Sequence, residues 1–488
     1  MTRVSLLVRK SCPWISGGSE PGWKKTASAV KSAGLVAGVA VLGCSLGKLL
    51  MTSYRELAVS VVGSSASLFL AMADPLYGLV IAIIAYPISV HYATLDLGAS
   101  IPNISPDRLV VAFVLALMFL RATCRGRRYR YPQVCWVGLI FVVFYSLSFR
   151  NGYWSFFQSA QFLLDKWMLP LATYFILSNL VVDRRKLDIV LNLLLVLGVY
   201  SALYMMYEQA TGNILIEVRE TATFYKGTNL RIVRGMYGTT TTFGNIFNLL
   251  IPIALYYFLR ARTVGRKTWY ILVFVMMLVG IFFTYKRAVW LGMLLNLLIV
   301  QMFYPRFRKL FVVILLVSLV AIAAAWDKVS TSEAVTVRIT DTDDWEDANG
   351  RTQRWEAGME FWRANPIFGS GFRCYQEGPY FQTENLYIHL LASAGLVAFV
   401  PFIVMLLIVL GYSIAIFRQA DGNEGVFVER NLIAAFWGAF GAYFFMAYFG
   451  SGVEGHIISN YTVFTLMGTI IGSQVPLLAR PAKASVKK

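Results

Sequence analysis

Apolar runs long enough to cross a lipid bilayer recur along this chain, and they decide its fold class before any single residue is considered. A helix that spans the hydrocarbon layer needs about 20 mostly apolar residues, and inside lipid the backbone must satisfy its own hydrogen bonds. Such runs fall near 32–50, 57–73, 76–92, 107–121, 133–149, 164–182, 187–207, 241–260, 268–284, 288–304, 309–325, 390–417, 431–449 and 457–478. The runs at 57–73 and 76–92 are short and joined by Ala73-Asp74-Pro75, which suits a re-entrant pair as well as two spans. The expected fold is an all-α integral membrane protein, a polytopic helical bundle of 12–14 transmembrane helices with one large outer loop. Composition agrees: 57% of the 488 residues are hydrophobic and 14% are charged, against about 25% charged in a soluble domain.

Charge sets the expected orientation. Placing the N-terminus inside puts most of the 44 lysines and arginines in inner segments, among them "RATCRGRRYRYP" (121–132), "DRRKL" (183–187) and "RARTVGRK" (260–267). Cytoplasmic loops collect such residues, so both termini are expected in the cytoplasm. The same rule accounts for the net charge of +18 without nucleic acid as a partner. The expected organisation is a basic tail at 1–31, transmembrane helices at 32–325, a large periplasmic loop at 326–383, further transmembrane helices at 384–478 and a second tail at 479–488. The basic tail lacks a cleavage-site pattern, so 32–50 reads as an uncleaved anchor. Of the five cysteines only Cys374 falls in an outer loop, and no zinc-type spacing is present.

The expected outer side is rich in arginine rather than lysine: Arg219, Arg231, Arg234, Arg287, Arg338, Arg351, Arg354, Arg363 and Arg373. Arginine suits the two parallel hydrogen bonds that grip a phosphate. His91, His389 and His456 fall at the same side. The span interiors carry almost no ionisable residues, whereas ion-coupled transporters need them near the midplane. Chemistry is therefore expected at the outer membrane–water boundary.

Four segments there carry chemistry-bearing residues, each with a plain structural alternative. In "NGRTQRWEAGMEFWRANPIFGSGF" (349–372), Trp355, Met359 and Trp362 make an apolar stripe at helical spacing, Pro366 stops the helix, and Gly369 and Gly371 form a turn. Arg351 and Arg354 share a face, to grip a phosphate or to touch lipid headgroups. In "TENLYIHLLASAGLVAF" (383–399), Thr383 reads as a helix cap with Glu384 in the first turn. Glu384, Tyr387, Leu391 and Gly395 then share a stripe on which Gly395 admits a neighbouring helix. Glu384 is either a base or a carboxylate favoured by the helix dipole. Lys286 and Arg287 occupy a short outer turn, where snorkelling to lipid phosphates is the alternative. Arg231 and Arg234 precede a Gly/Thr-rich helix start that suits an anion or ordinary capping. The acidic run "DTDDWED" (341–347) fits no calcium loop and reads as solvated.

Together these segments resemble the O-antigen ligase and polymerase superfamily of bacterial envelope glycosyltransferases. The resemblance rests on their order over about 229–410: Arg234-Gly235; Arg287 at a short outer turn; Arg351, Trp355, Pro366, Gly369 and Gly371 in a large outer loop; then Glu384-Asn385 and Gly395 at a helix start. It implies a GT-C-like membrane fold, the bacterial inner membrane, and a donor glycan on a polyprenyl pyrophosphate. A hydroxyl of an acceptor glycan attacks the anomeric carbon with inversion, without metal or other cofactor. Under the resemblance Glu384 and Arg287 are the catalytic candidates. Arg234, Arg231, Arg287, Arg351 and Arg354 bind the donor pyrophosphate, and Asn385, Tyr387, Trp355 and His389 contact substrate, with Glu384 and His389 both open as the base. A chain-length regulator and a flippase are the implied protein partners. Ligases of this superfamily carry His where this chain has Glu384, and their motif continues Gly-x-x-Gly/Thr/Tyr where this chain has Ala398. The expectation is therefore a glycan polymerase, with a ligase or O-oligosaccharyltransferase next and a lipid-linked oligosaccharide flippase third.

Overall fold

Among the described residues, apolar helices follow one another along the chain, several of them joined by short connections such as 181–183, 261–263 and 284–286. The computed structural model describes residues 65–92, 105–126, 128–152, 154–214, 233, 235–324, 351–374, 383–420, 426–449 and 457–478. All of them belong to one compact unit, Val62–Lys488. The tail at 1–31, the span expected at 32–50, residues 326–350 and 375–382 of the large loop and the tail at 479–488 lie outside the described residues. So do Arg219, Arg231, Arg234, Arg338 and His456, and the side chain of His91.

After a helix at 65–73, the elements are α1 (Pro75–Tyr92), α2 (Pro106–Arg125), α3 (Gln133–Leu147), α4 (Phe156–Leu163), α5 (Leu169–Leu180), α6 (Arg184–Thr211), α7 (Thr240–Arg260), α8 (Val264–Phe283), α9 (Arg287–Phe303), α10 (Pro305–Ala324), α11 (Arg351–Ala364), α12 (Leu386–Gln419), α13 (Arg430–Phe449), α14 (Ile457–Leu466) and α15 (Val475–Leu478). No strand occurs among the described residues. Seven helical stretches there are long and apolar enough to cross a membrane, and the apolar helices Pro75–Val90 and Arg287–Phe303 are shorter. The chain is a polytopic helical membrane protein. Asp74 separates the first two helices, its carboxylate accepting the Leu76 N–H at 2.9 Å.

Helix α7 is the axis of the bundle. The apolar window of α7 is 89% buried, against 28% for α8, so α8 presents most of its surface outward. Asn248 of α7 donates to Val289 O of α9 at 3.1 Å and contacts Met446 Sδ of α13 at 3.3 Å, while Asn296 of α9 donates to Asn248 O at 2.7 Å. A polar side chain in an apolar bundle makes such bonds because no water offers an alternative. These contacts bring the start of α9 and the end of α13 to one end of the bundle, with the start of α7 close by.

The other end, expected to be cytoplasmic, is closed by charge. Arg184 and Arg260 pair with Asp188 at 3.0 and 3.2 Å, Arg260 also reaches Glu429 at 3.1 Å, and Tyr257 donates to Asp188 at 2.7 Å. The network ties α6, α7 and the segment before α13 together.

The span expected at 164–182 is not free of ionisable residues. A π-helical turn at Leu164–Met168 joins α4 to α5 and carries Asp165 and Lys166. Asp165 is clasped by Arg108 of α2 through two hydrogen bonds, 2.7 and 2.6 Å, and beside this pair Tyr461 donates to Asp107 at 2.8 Å. Pairing is what makes charge tolerable at this depth.

Candidate active site

Glu384 stands just before α12, and the reason is local. The helix is capped by Asn385, whose Oδ1 accepts the N–H groups of Tyr387 and Ile388 at 2.9 and 3.1 Å. Asn is among the strongest N-caps, so it takes the place expected for Thr383, which instead donates to Asn385 O at 3.1 Å. Glu384 is thereby displaced from the first turn and adopts φ +51°. Its carboxylate turns to α11, where it accepts from Arg351 Nε at 3.1 Å and Arg354 Nη1 at 2.8 Å. All three side chains are one quarter to one third exposed.

Helix α11 presents a different face to α12 than its aromatic spacing suggests. The expected stripe of Trp355, Met359 and Trp362 is only half-buried, and the buried residue is Gly358. A Cβ on Gly358 would lie 2.6 Å from the Ile388 side chain. Arg351, Arg354 and Gly358 follow one another at three- and four-residue steps, so the two arginines ride on the face that meets α12. Trp355 packs edge-on against Tyr448 of α13, with ring centroids 5.2 Å apart.

Pro366–Gly371 then docks into a break in α12. Gly395 has φ +64° and ψ −166°, a conformation essentially reserved for glycine. The N–H groups of Ser370 and Gly371 donate to Ala392 O and Ser393 O at 2.8 and 3.1 Å, while Leu396 and Val397 donate to Pro366 O and Ile367 O at 3.0 and 3.1 Å. The loop thus caps the upper half of α12 and starts the lower half. Gly395 admits this loop, where a packed helix was expected: a Cβ there would lie 2.2 Å from Ile367 O. Gly371 is equally confined, 2.1 Å from Asn151 O by the same construction.

The remaining candidates divide by face. Tyr387 donates to Phe444 O of α13 at 3.0 Å, on the side of Trp355 and Tyr448. His389 points the other way, buried, with Nε2 2.9 Å from the Tyr145 hydroxyl and its ring against Phe372. The structure therefore brings Glu384, Arg351 and Arg354 together and leaves His389 on the opposite face of the helix.

Arg287 is the first residue of α9, after the turn Thr284–Lys286. Tyr285 in that turn has φ +48°, and burial pushes its phenol above the ordinary value. A cation at a helix N-terminus is unfavourable unless an anion is nearby, because the dipole is already positive there. No acidic residue occupies the first turn of α7, α9, α11 or α12. The starts of α9, α11 and α12 carry the positive ends of their helix dipoles, which suits an anionic ligand.

Sequence reasoning placed Arg373 among the outer arginines without giving it a part. It stands at φ +55° with its guanidinium carbon 4.0 Å from the Trp154 ring centroid. The two residues are more than 200 positions apart, and no local pattern joins them.

No curated protein matches the chain. Residues 272–403 match the family model described as O-Antigen ligase, a segment that runs from α8 past the break in α12 and holds Arg287, the described part of the large loop and Glu384. That match supports the resemblance of this segment to the O-antigen ligase and polymerase superfamily.

Proposed function

We propose that this protein is a membrane glycan polymerase that joins repeat units carried on polyprenyl pyrophosphate at the outer face of the bacterial inner membrane. The observation that carries the reading is the clasp of Arg351 and Arg354 on Glu384, beside helix starts that lack acidic residues. Guanidinium pairs of this kind fit a diphosphate. In the resting protein Glu384 neutralises them. When the donor binds, its diphosphate takes over the arginines, with Arg287 and the segment of Arg231 and Arg234 completing the grip. A carboxylate oxygen of Glu384 is then released.

The reaction follows from that exchange. The acceptor hydroxyl oxygen attacks the anomeric carbon, the carbon–oxygen bond to the diphosphate breaks, and polyprenyl diphosphate leaves with the electron pair. Glu384 takes the hydroxyl proton. Direct displacement inverts the anomeric centre. The arginines act where charge builds on the leaving group, each charge-assisted bond contributing about 1.5–3 kcal/mol. Asn385 and Tyr387 hold the start of α12 in register, and Trp355 offers an aromatic edge to a sugar.

A second reading, transfer of a finished glycan to a different acceptor, is favoured by the matched family's description as O-Antigen ligase. Glycans from cells carrying Glu384→Gln, with protein level checked, separate the two. The polymerase reading expects polymer to vanish while single lipid-linked units accumulate. Accumulation of long lipid-linked chains establishes the ligase reading, and unchanged polymer removes Glu384 from the chemistry.

A further inference from the structure

Three non-glycine residues among those described have positive φ: Tyr285 at +48°, Glu384 at +51° and Arg373 at +55°. L-residues avoid this region, and a fold that imposes it does so most often at functional sites. Tyr285 leads into Arg287, and Glu384 holds Arg351 and Arg354. Two of the three therefore belong to the site already described, and Arg373 is the one without a role.

The surroundings of Arg373 are specific. Its guanidinium carbon lies 4.0 Å from the ring centroid of Trp154, 5.6 Å from that of Phe162 and 5.9 Å from that of Phe372. Lys166 Nζ lies 5.9 Å from the centroid of the same Phe162 ring, so two cations share one aromatic side chain. Among the described residues Arg373 makes no hydrogen bond and no ion pair, and its Nε is shut off from solvent without a partner. Asp165, the carboxylate next to Lys166 in the chain, is engaged on both oxygens by Arg108. Aromatic faces orient a guanidinium and leave its hydrogen-bonding edge free for an oxyanion. The cluster holds two cations, one of them with its hydrogen bonds unmade.

Its position gives the class of anion. Phe372 meets His389 edge-on, with ring centroids 6.2 Å apart, so the cluster lies on the face of α12 opposite Tyr387 and its α13 partners. Beside Trp154, α4 exposes Phe156 and Phe157, an apolar edge of the kind that meets lipid. We propose that Arg373, stacked on Trp154 with Lys166 beside it, is a second lipid-phosphate site, which holds the pyrophosphate of a lipid-linked acceptor while Arg351 and Arg354 hold the donor. The assignment of the donor rests on the proposed function. A second carrier site is what joining two lipid-linked units requires, and a protein acceptor would not need it.

The test counts undecaprenyl pyrophosphate molecules bound to the purified full chain by native mass spectrometry, with phosphatidylglycerol as competitor. Arg373→Gly is the variant of choice, because glycine accepts the positive φ and the backbone is relieved rather than strained. Wild type is expected to bind two molecules. Arg373→Gly is expected to bind one, its second-site affinity lowered at least tenfold, and Arg351→Ala/Arg354→Ala to lose the other. Trp154→Leu, which removes the platform and leaves the guanidinium, gives a second reading of the same site should Arg373→Gly fail to accumulate. Two molecules retained by Arg373→Gly overturn the proposal, as does phosphatidylglycerol filling the Arg373-dependent site equally well. If Arg351→Ala/Arg354→Ala keeps both molecules while Arg373→Gly loses one, the Arg373 site stands and the donor assignment fails.

Discussion

Replacing Gly395 with alanine tests whether the broken α12 and the loop docked in it are what assemble the site. At φ +64° and ψ −166° a side chain costs about 1–3 kcal/mol in backbone strain alone. The new Cβ would also lie 2.2 Å from Ile367 O and 2.5 Å from Gly369 N, both backbone atoms that move only if the loop leaves. The loop is held by the four backbone hydrogen bonds from Ser370, Gly371, Leu396 and Val397, each contributing about 1 kcal/mol net. With all four bonds lost, these sum to a destabilisation of about 5–7 kcal/mol, spent either as lower stability or as a displaced loop that carries α11 away from Glu384. The assay pairs the melting midpoint in detergent with glycan chain length in cells. Gly395→Ala is expected to lower the midpoint by at least about 5 °C and to abolish polymer. Gly411→Ala in the same helix is the control, since a Cβ there meets nothing within 4 Å, and it is expected to leave both readings unchanged. Wild-type melting and wild-type polymer in Gly395→Ala would refute the reasoning.

Other outcomes follow from the charged groups. Arg354→Ala is expected to lower the initial rate of polymer formation at least tenfold, with a smaller further loss when Glu384→Gln is added, because paired residues do not act additively; full additivity in that cycle would show that the clasp is not a unit. Arg108→Ala leaves Asp165 buried without its partner and is expected to cost about 3–5 kcal/mol. Arg108→Met combined with Asp165→Leu is expected to cost much less, both read by thermal unfolding. Arg260→Ala at the opposite end is expected to cost only about 1 kcal/mol, because the Arg260 side chain is 38% exposed, and the difference is expected to shrink as salt is raised.

The helices were legible because lipid leaves the chain few choices: a long apolar run is a helix, and its ends are marked by Asn, Gly, Pro and charge. Helix α11 was expected from its spacing and its stop at Pro366, and it ends at Ala364. Its packing face was misread, because the aromatic stripe was weighed and the close approach at Gly358 was not. Periodicity reports which residues are large and apolar, while a helix that must lie against another often does so through its smallest residue. The part of Asp165 was hidden for a related reason. Its partner, Arg108, is 57 positions away, and an apolar run interrupted by Asp165-Lys166 looks the same whether or not an arginine waits across the bundle.

The deepest misreading concerns Asn385 and Gly395, and it shows what spacing can and cannot carry. Ten residues of helix advance about 15 Å, and over that length a continuous helix and one that breaks at its end have the same periodicity. Glu384, Tyr387, Leu391 and Gly395 were therefore placed on one stripe. In the structure the interval runs from a cap to a break: Asn385 starts the upper segment, and Gly395 ends it where Pro366–Gly371 inserts. Both ends of this short segment thus depend on the large loop, Glu384 through α11 and Gly395 through the docked turn. The glycine pattern at Gly369 and Gly371 and the interval from Asn385 to Gly395 are consequently two halves of one joint. Substitutions on either half are expected to produce the same loss, since each releases the loop that holds Arg351 and Arg354 in place.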